Sequence, residues 1–438
     1  MDDSFNRIFD EHLATVSERY DRALERANFD AVIVGAGVER YRFRDDQAHP
    51  FVLNPYLTQW VPLQAHPGSG LIYQPGRKSR LVILRPDDYW HLPAALPGDP
   101  WSEALDVQVV DSAKAANRIW RELTGHVAHL GDPEQWPAAT ATSNPPALVN
   151  YLDFHRPYKT RYERLCIGRA NLLAAPAHRD VAAAFKAGAS EYEMLGQFLN
   201  TGKMLLEDLP YRPIIATNRH CATLHYQNYD HERSDFNSLL IDAGYQLNGY
   251  AADISRTYSF VHDEFAQMVV DLDFEQQALC GQVRPGIPFV DLHRLAHLAI
   301  ARLLTSWGIA AGDPEDLLER GVTCAFMPHG LGHYLGLQVH ELGGLLANES
   351  GDEFDRPNEF PSLRTVRTLD VNQVLTIEPG IYFIDSLLDN LKRSAHGSMI
   401  NWSRVAELHK FGGMRIEDNL AVTESGADNL TRRAFADS

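Results

Sequence analysis

The chain has 438 residues, 40 basic against 58 acidic side chains for a net charge of −18, and a 45% hydrophobic share. That apolar content excludes a disordered chain, and no run approaches the ~18 uninterrupted apolar residues of a transmembrane helix. The acidic balance repels phosphate backbones, so it speaks against nucleic acid or an anionic membrane as partner. What remains is a solvated acidic face or a site that holds cations.

At ~100–200 residues per domain the length accommodates two or three domains. Met1-Asp2-Asp3-Ser4 opens acidic, without the basic and apolar regions of a secretory signal. Cys166, Cys221, Cys280 and Cys324 are scattered with no C-x-x-C pair, the usage of a reducing compartment. A cytoplasmic location is therefore expected.

In chain order, residues 4–28 predict a helix, with Phe9, Leu13, Val16, Tyr20 and Leu24 recurring at helical spacing. Asp30–Val34 reads as a buried strand, and Gly70–Gln74 with Arg80–Leu84 reads as a hairpin around Pro75-Gly76. Short strands at Val107–Val110 and His126–Leu130 alternate with helical stretches. The prolines at 145, 146 and 157 mark the end of this part, so residues 1–157 and 158–438 are expected to form separate domains of α/β (α+β) class. In the second, a helix over Thr160–Lys186 stops at Gly188, and Ser190-Glu-Tyr-Glu193 is a capping box opening another helix. Strands at Leu239–Gly244, Ala252–Phe260, Gln373–Glu378 and Met414–Val422 and a helix at Asp291–Ser306 follow.

Two motifs mislead. Val34-Gly35-Ala-Gly37-Val-Glu-Arg40 follows a strand like a dinucleotide-binding turn, but Arg40 replaces the third glycine and no acidic strand end follows. His340-Glu341-Leu-Gly-Gly344 begins like a zincin helix but lacks its second histidine, and its glycines oppose a helix.

The informative residues are acidic. Asp242 and Asp253 lie on strands around a turn containing Asn248-Gly249, which places them nearly opposite on one face, close enough to reach a shared point. Unneutralised, such a pair would repel until one carboxyl took a proton, whereas a divalent cation between them removes the conflict. Alone, the pair reads first as two solvated turn aspartates, against which the apolar residues around both argue. Glu378 ends a strand that Pro379 terminates. Arg415 and Glu417 share one strand face, with Met414 and Ile416 on the other. His329, His333 and His340, separated by Gly330, Gly332 and Gly336, read either as a surface cluster or as backbone drawn close to a site.

In order, Asp242, Asp253, His333, Glu378 and Glu417 stand in the phrases I-D-A-G, A-D-I-S-R-T, H-G-L-G-H-x-x-G, T-I-E-P-G-I-Y and R-I-E-D. This set resembles the dinuclear metal centre of the pita-bread metallopeptidases, the group of methionine aminopeptidase, aminopeptidase P, prolidase and the non-metal creatinase. Arg44-Asp45-Asp46, His49-Pro-Phe51, Asn54-Pro55, Trp60-Val-Pro62 and Thr223-Leu224-His225-Tyr226 look like the bacterial Xaa-Pro dipeptidases among them, over nearly the whole chain.

The resemblance implies a small creatinase-like N-terminal domain, which makes dimer contacts and closes the site, and a pita-bread catalytic domain. It implies that Asp253 and Glu417 bridge two metals, that Asp242 binds one, and that His333 and Glu378 complete the other. Four carboxylates then balance two divalent ions, and an oxygen-rich set with one imidazole suits hard ions such as Mn²⁺. By the same resemblance Glu378 is the acid/base, and His329 and His340 contact substrate or stabilise the tetrahedral intermediate. Arg415 orients Glu417 or meets the substrate carboxylate. Tyr211, Leu224 and His225 line the substrate pocket, and Asp46 is lent to the site by a second copy in a homodimer. The expected reaction is hydrolysis of Xaa-Pro dipeptides, with organophosphate triesters as a side activity. Aminopeptidase P chemistry on longer peptides is the nearest alternative, and a catalytically inactive binding protein on the same fold is the alternative of another class.

Overall fold

The computed structural model describes residues 3–63, 66–98, 100–135, 141–233 and 235–438. It divides into two compact units. One contains the chain up to Arg156 with Thr160–Glu163 and Leu346–Glu353; the other contains Pro157–Lys159, Arg164–Leu345 and Phe354–Ser438.

The first unit is a mixed six-stranded sheet in the order β4-β3-β2-β1-β5-β6. Its strands are β1 (Ala31–Gly35), β2 (Gly70–Tyr73), β3 (Arg80–Leu84), β4 (Asp106–Val110), β5 (Val127–Leu130) and β6 (Ala141–Ser143). β2 and β3 form the expected antiparallel hairpin, with Gly76 at φ +72° in the turn, a conformation glycine adopts without strain. β1 is buried along its whole length because both faces of the sheet are covered. Val32 and Val34 pack with Val16, Tyr20 and Leu24 of the helix Asp3–Ala27, while Ala31 and Ile33 pack with Ile119 and Trp120. The Gly35–Arg40 stretch leads into an irregular segment with Gly37 at φ +106° and opens no helix, so it is no dinucleotide turn.

In the second unit, the helix Arg161–Lys186 from Arg164 onward and the helix Glu191–Gly202 cover a three-stranded sheet of order β11-β8-β7. These strands are β7 (Ile214–Thr217), β8 (Ser238–Asp242) and β11 (Ser255–Ser259), with a small hairpin of β9 (Gln246–Leu247) and β10 (Tyr250–Ala251) between the last two. The capping box at Ser190 and Glu193 is formed. The helices Glu264–Cys280 and Phe289–Ser306 share a second core with β12 (Val374–Ile377), β13 (Gly380–Tyr382), β14 (Gly413–Arg415) and β15 (Asp418–Val422), and β16 (Ala427–Asn429) closes the edge.

Several expected strands are interrupted. Ala252–Phe260 begins as β11 only at Ser255, and Met414–Val422 is two strands broken at Ile416-Glu417. The breaks fall beside the acidic residues, where backbone leaves one ladder to meet another. β6, β7 and β16 carry no sequence signal of their own, being too short for a period to register. All four cysteines are free, Cys166 and Cys221 of them buried. No described helix is long and apolar enough to cross a membrane.

Candidate metal centre

The site grows out of strand register. Asn248 and Gly249 both have positive φ, the requirement of a two-residue type I′ turn, and Leu247 therefore pairs with Tyr250. Carried along the ladder, this register sets Asp242 opposite Ser255. Asp253 lies two residues from that position, a diagonal neighbour of Asp242 on the same face.

A second ladder delivers the glutamates. Ile377 pairs with Asp418 and Gly380 with Arg415, so the one register that satisfies both pairs places Glu378 opposite Glu417. Glu417 is also bridged to β11, its N–H donating to the Ser255 carbonyl at 3.1 Å. The two ladders thus cross at Ser255 and Glu417, and four carboxylates converge there.

His333 arrives on a segment laid against β12, where the Thr376 N–H donates to the His333 carbonyl and the Glu378 N–H to that of Leu331. A Cβ on Gly332 would lie 2.0 Å from the Thr376 carbonyl oxygen, so glycine here permits close approach of two backbones. The His340–Gly344 stretch runs as turns, as its glycines require.

Asp253, His333 and Glu417 are 5%, 3% and 1% exposed, and one ligand atom from each lies within 4.8 Å of the others. His333 Nε2 is 3.3 Å from Asp253 Oδ2, 3.7 Å from Glu378 Oε1 and 4.0 Å from Glu417 Oε1. Its Nδ1 lies 3.0 Å from the Tyr334 carbonyl, which accepts the ring proton and leaves the Nε2 lone pair facing the carboxylates. Burial holds this imidazole below its ordinary pKa, in the neutral form a metal ligand needs. Glu417 Oε2 accepts from Ser255 Oγ at 2.8 Å, while Oε1 is buried with no hydrogen-bond partner among the described residues.

The carboxyls of Asp253, Glu378 and Glu417 are all pushed well above the usual range. Burial is the first cause for each, followed by Asp242 for Asp253, Glu417 for Glu378 and Asp253 for Glu417. An orphaned buried oxygen, a free imidazole lone pair and carboxylates that repel one another are what a divalent cation would satisfy. The donor set fits such ions.

Arg415 is buried, and each of its three guanidinium nitrogens donates a hydrogen bond. It donates from Nη2 to Asp242 Oδ2 at 2.6 Å, from Nε to Ser255 Oγ at 2.9 Å and from Nη1 to Tyr382 OH at 2.7 Å. It therefore touches Asp242 directly and reaches Glu417 only through Ser255. Tyr211 OH donates to the other Asp242 oxygen at 2.9 Å. Both Asp242 oxygens keep a lone pair beyond these bonds. Asn419 grips the backbone of Asp253 at both its N–H and its carbonyl.

A cavity of about 350 Å³ opens on this centre and is lined by Asp242, Asp253, His333, Glu378 and Glu417 together with Arg415, Leu224, His225, His329, His340 and Arg364. His340 is exposed and stands edge-on to His333 with ring centroids 4.5 Å apart. His329 has both nitrogens engaged, Nδ1 at 2.8 Å from the Gly330 carbonyl and Nε2 at 3.0 Å from Tyr382 OH. Asp46 lies in the first unit, in an exposed turn beside Gln47. Sequence reasoning missed Ser255, Tyr382, Arg364 and Asn419. The first two stand inside the phrases around Asp253 and Glu378, while nothing local marks the others.

Residues 7–154 match the family described as Xaa-Pro dipeptidase, N-terminal domain, and residues 166–424 match metallopeptidase family M24. A Xaa-Pro dipeptidase of Stenotrophomonas maltophilia (strain K279a) is 39% identical over 431 residues, 98% of this chain and 97% of that protein. One of Xanthomonas campestris pv. campestris (strain B100) is 39% identical over 435 residues, 99% of each. Among solved structures, Escherichia coli aminopeptidase P superposes with a TM-score of 0.70 at 22% identity over 95% of both chains. Pseudomonas aeruginosa aminopeptidase PepP superposes with a TM-score of 0.73 at 20% identity over 97% of this chain and 98% of that one. At such identity these two speak for the fold alone. The chain belongs to metallopeptidase family M24, in its Xaa-Pro dipeptidase group.

Proposed function

We propose that this chain hydrolyses Xaa-Pro dipeptides and that Asp242, Asp253, His333, Glu378 and Glu417 hold the two divalent ions the reaction needs. The observation that carries this reading is the convergence of four carboxylates and one neutral imidazole beside Glu417 Oε1, which has no hydrogen-bond partner among the described residues. It gains weight from near full-length similarity to proteins named Xaa-Pro dipeptidase.

Ions held there supply Lewis-acid polarisation of the scissile carbonyl and a nucleophilic water at neutral pH. The chain's own residues do the rest. Glu378, on the cavity wall opposite Glu417, takes the water's proton and delivers it to the prolyl nitrogen as the C–N bond breaks. Arg415 and Tyr211 hold Asp242 from either side, and Asn419 holds the Asp253 backbone. His340, exposed on the cavity lining, and His329, tied to Tyr382, contact the substrate or stabilise the tetrahedral intermediate. Leu224 and His225 shape the pocket for the residue before proline. An X–Pro amide has no N–H, so recognition must come from such walls and from the substrate's charged ends rather than from backbone pairing.

The oxygen-rich donor set favours Mn²⁺ in our reading. We infer as well a cytoplasmic homodimer in which the first unit makes the dimer contacts and Asp46 is lent to the site by the second copy. Sedimentation of wild type and of Asp46→Ala, with kinetics on both, tests that part.

The central test is chelation followed by Mn²⁺ reconstitution, with metal analysis and kinetics on Ala-Pro, Gly-Pro and Ala-Pro-Ala. About two ions per chain, activity lost on chelation and a strong preference for the dipeptides are expected. Comparable kcat/KM on Ala-Pro and Ala-Pro-Ala would move the assignment to aminopeptidase P. No turnover of any of them by the loaded protein would leave a binding protein on this fold. Organophosphate triester hydrolysis, read with a chromogenic triester, is expected to vanish on chelation alongside the peptidase activity.

A further inference from the structure

Outside the metal centre, one buried carboxylate gathers an unusual number of donors. Glu191 opens the helix Glu191–Gly202 and is 1% exposed. Its Oε1 accepts from the Thr217 N–H at 2.7 Å, from Thr217 Oγ1 at 2.8 Å and from His220 Nδ1 at 2.9 Å. Its Oε2 accepts from Tyr226 OH at 2.6 Å and from the Asp230 N–H at 2.8 Å. The donors come from both ends of one segment, Thr217–Asp230, and the His220 and Tyr226 rings stack between them at 4.4 Å. The Tyr192 N–H adds a bond to the Asp230 carbonyl at 3.1 Å.

Glu191, His220 and Asp230 bring ligand atoms close enough to hold an ion. The donors already on Glu191 contradict that use, since a cation there would displace protons from both carboxylate oxygens. Burial works against the charge of Glu191, yet the bonds from Tyr226, Asp230, His220 and Thr217 together hold its carboxyl below the ordinary range. It is an ionised anchor with its acceptor capacity filled by one loop.

Midway along that loop sit Leu224 and His225, which line the cavity with the metal-centre carboxylates. The tip is the most exposed part of the loop: Thr223 and His225 are exposed, and Leu224 is half-buried against the cluster that contains Cys221 and Tyr226, so the position of both depends on how the flanking segments are held. The helix that carries Glu191 is rigid by comparison, with its capping box formed and Met194, Leu195 and Phe198 buried in the core. We infer that Glu191 is a positioning residue, a latch that pins both ends of Thr217–Asp230 so that Leu224 and His225 form a fixed wall of the substrate pocket. The inference deepens the dipeptidase reading and rests on it only for what the pocket binds.

The test uses the full-length, Mn²⁺-loaded protein and Glu191→Gln, which keeps the shape but puts an NH₂ donor against donors. Amide exchange across residues 218–230 should rise about tenfold, roughly the effect of losing one hydrogen bond to a charged group. KM for Ala-Pro should rise by about the same factor, with kcat, metal content and exchange in β12 unchanged. Tyr226→Phe, which removes one bond of the set, should move exchange and KM the same way by less. Unchanged exchange in Glu191→Gln, or loss of metal and kcat together with KM, would overturn the latch. If Glu191→Gln does not fold, Tyr226→Phe and Thr217→Val decide, and unaltered exchange in both would overturn it. Exchange needs no catalysis, so a wild type inert toward Ala-Pro counts against the activity and leaves the latch to be judged separately.

Discussion

The Arg415 guanidinium donates to Asp242 Oδ2 across 2.6 Å, and its remaining bonds go to Ser255 and Tyr382, so the cation nearest the carboxylate cluster serves the cluster. A lysine keeps the charge but cannot reach three partners with a planar fork. Arg415→Lys should therefore bind metal more weakly, by about tenfold for a lost charged hydrogen bond, as read by titration with Mn²⁺. If Arg415 captured the substrate carboxylate instead, wild type would prefer Ala-Pro to Ala-Pro amide through KM and the variant would lose that preference. We expect the preference to survive.

Glu378 and Asp242 are asked to do different work, and metal concentration separates them. Glu378→Gln keeps an oxygen facing the cavity but cannot take a proton, so kcat should fall ~10²–10⁴-fold even at saturating Mn²⁺. Asp242→Asn should recover most turnover as Mn²⁺ is raised, because Tyr211 and Arg415 still hold the side chain. Restoration of Glu378→Gln by excess Mn²⁺ would reduce Glu378 to a ligand and make His340 the next base to examine.

Gly332 and Gly330 stand two residues apart and should respond differently to alanine. At Gly332 the new Cβ meets the Thr376 carbonyl at 2.0 Å, whereas at Gly330 its nearest neighbour is 3.4 Å away. Gly332→Ala must push the His333 segment off β12, at a cost of ~1–3 kcal/mol. A lower Tm in the metal-free protein and weaker metal binding are expected for Gly332→Ala, and near wild-type values for Gly330→Ala.

His178, which is not a metal ligand but bonds the backbone beside Asp242, supplies a pH prediction. Its Nε2 lies 2.8 Å from the Ala243 carbonyl, Nδ1 has no partner among the described residues, and burial lowers its pKa to about 4. The fold favours the neutral ring, so its contribution is fully present above the unfolded value of ~6.5 and is lost as pH falls from there towards 4. The full loss is about 3 kcal/mol. His178→Gln stays neutral and can still donate to Ala243. Melting both proteins between pH 7.5 and pH 4.5 should show wild type losing more stability on acidification, and parallel curves would contradict the assignment.

What could be read from the residues alone was local and periodic. The helix Asp3–Ala27 followed from apolar spacing, the β2–β3 hairpin from Pro75-Gly76, and the capping box from Ser190 and Glu193, because each is decided by neighbours a few residues apart. The acidic residues could be singled out because carboxylates inside apolar strand contexts need a partner, and their surrounding phrases carried the family resemblance.

What only the tertiary structure decided was which groups meet. That Glu378 faces Glu417 depends on a register shared by Ile377–Asp418 and Gly380–Arg415, and that Asp242 faces Ser255 depends on the two-residue turn at Asn248-Gly249. A one-residue change in either would turn the side chains to the opposite face. Arg415 has a composition-level role as a cation near acids, but its choice of Asp242, Ser255 and Tyr382 is fixed by the crossing of two ladders. Glu191 reads in the sequence as an ordinary first-turn acid, favoured there by the helix dipole. Only the fold, by folding Thr217 and Asp230 back onto it, makes it the anchor of the pocket loop: a hydrogen bond's partner depends on where the chain returns in space, and sequence spacing carries no record of that return.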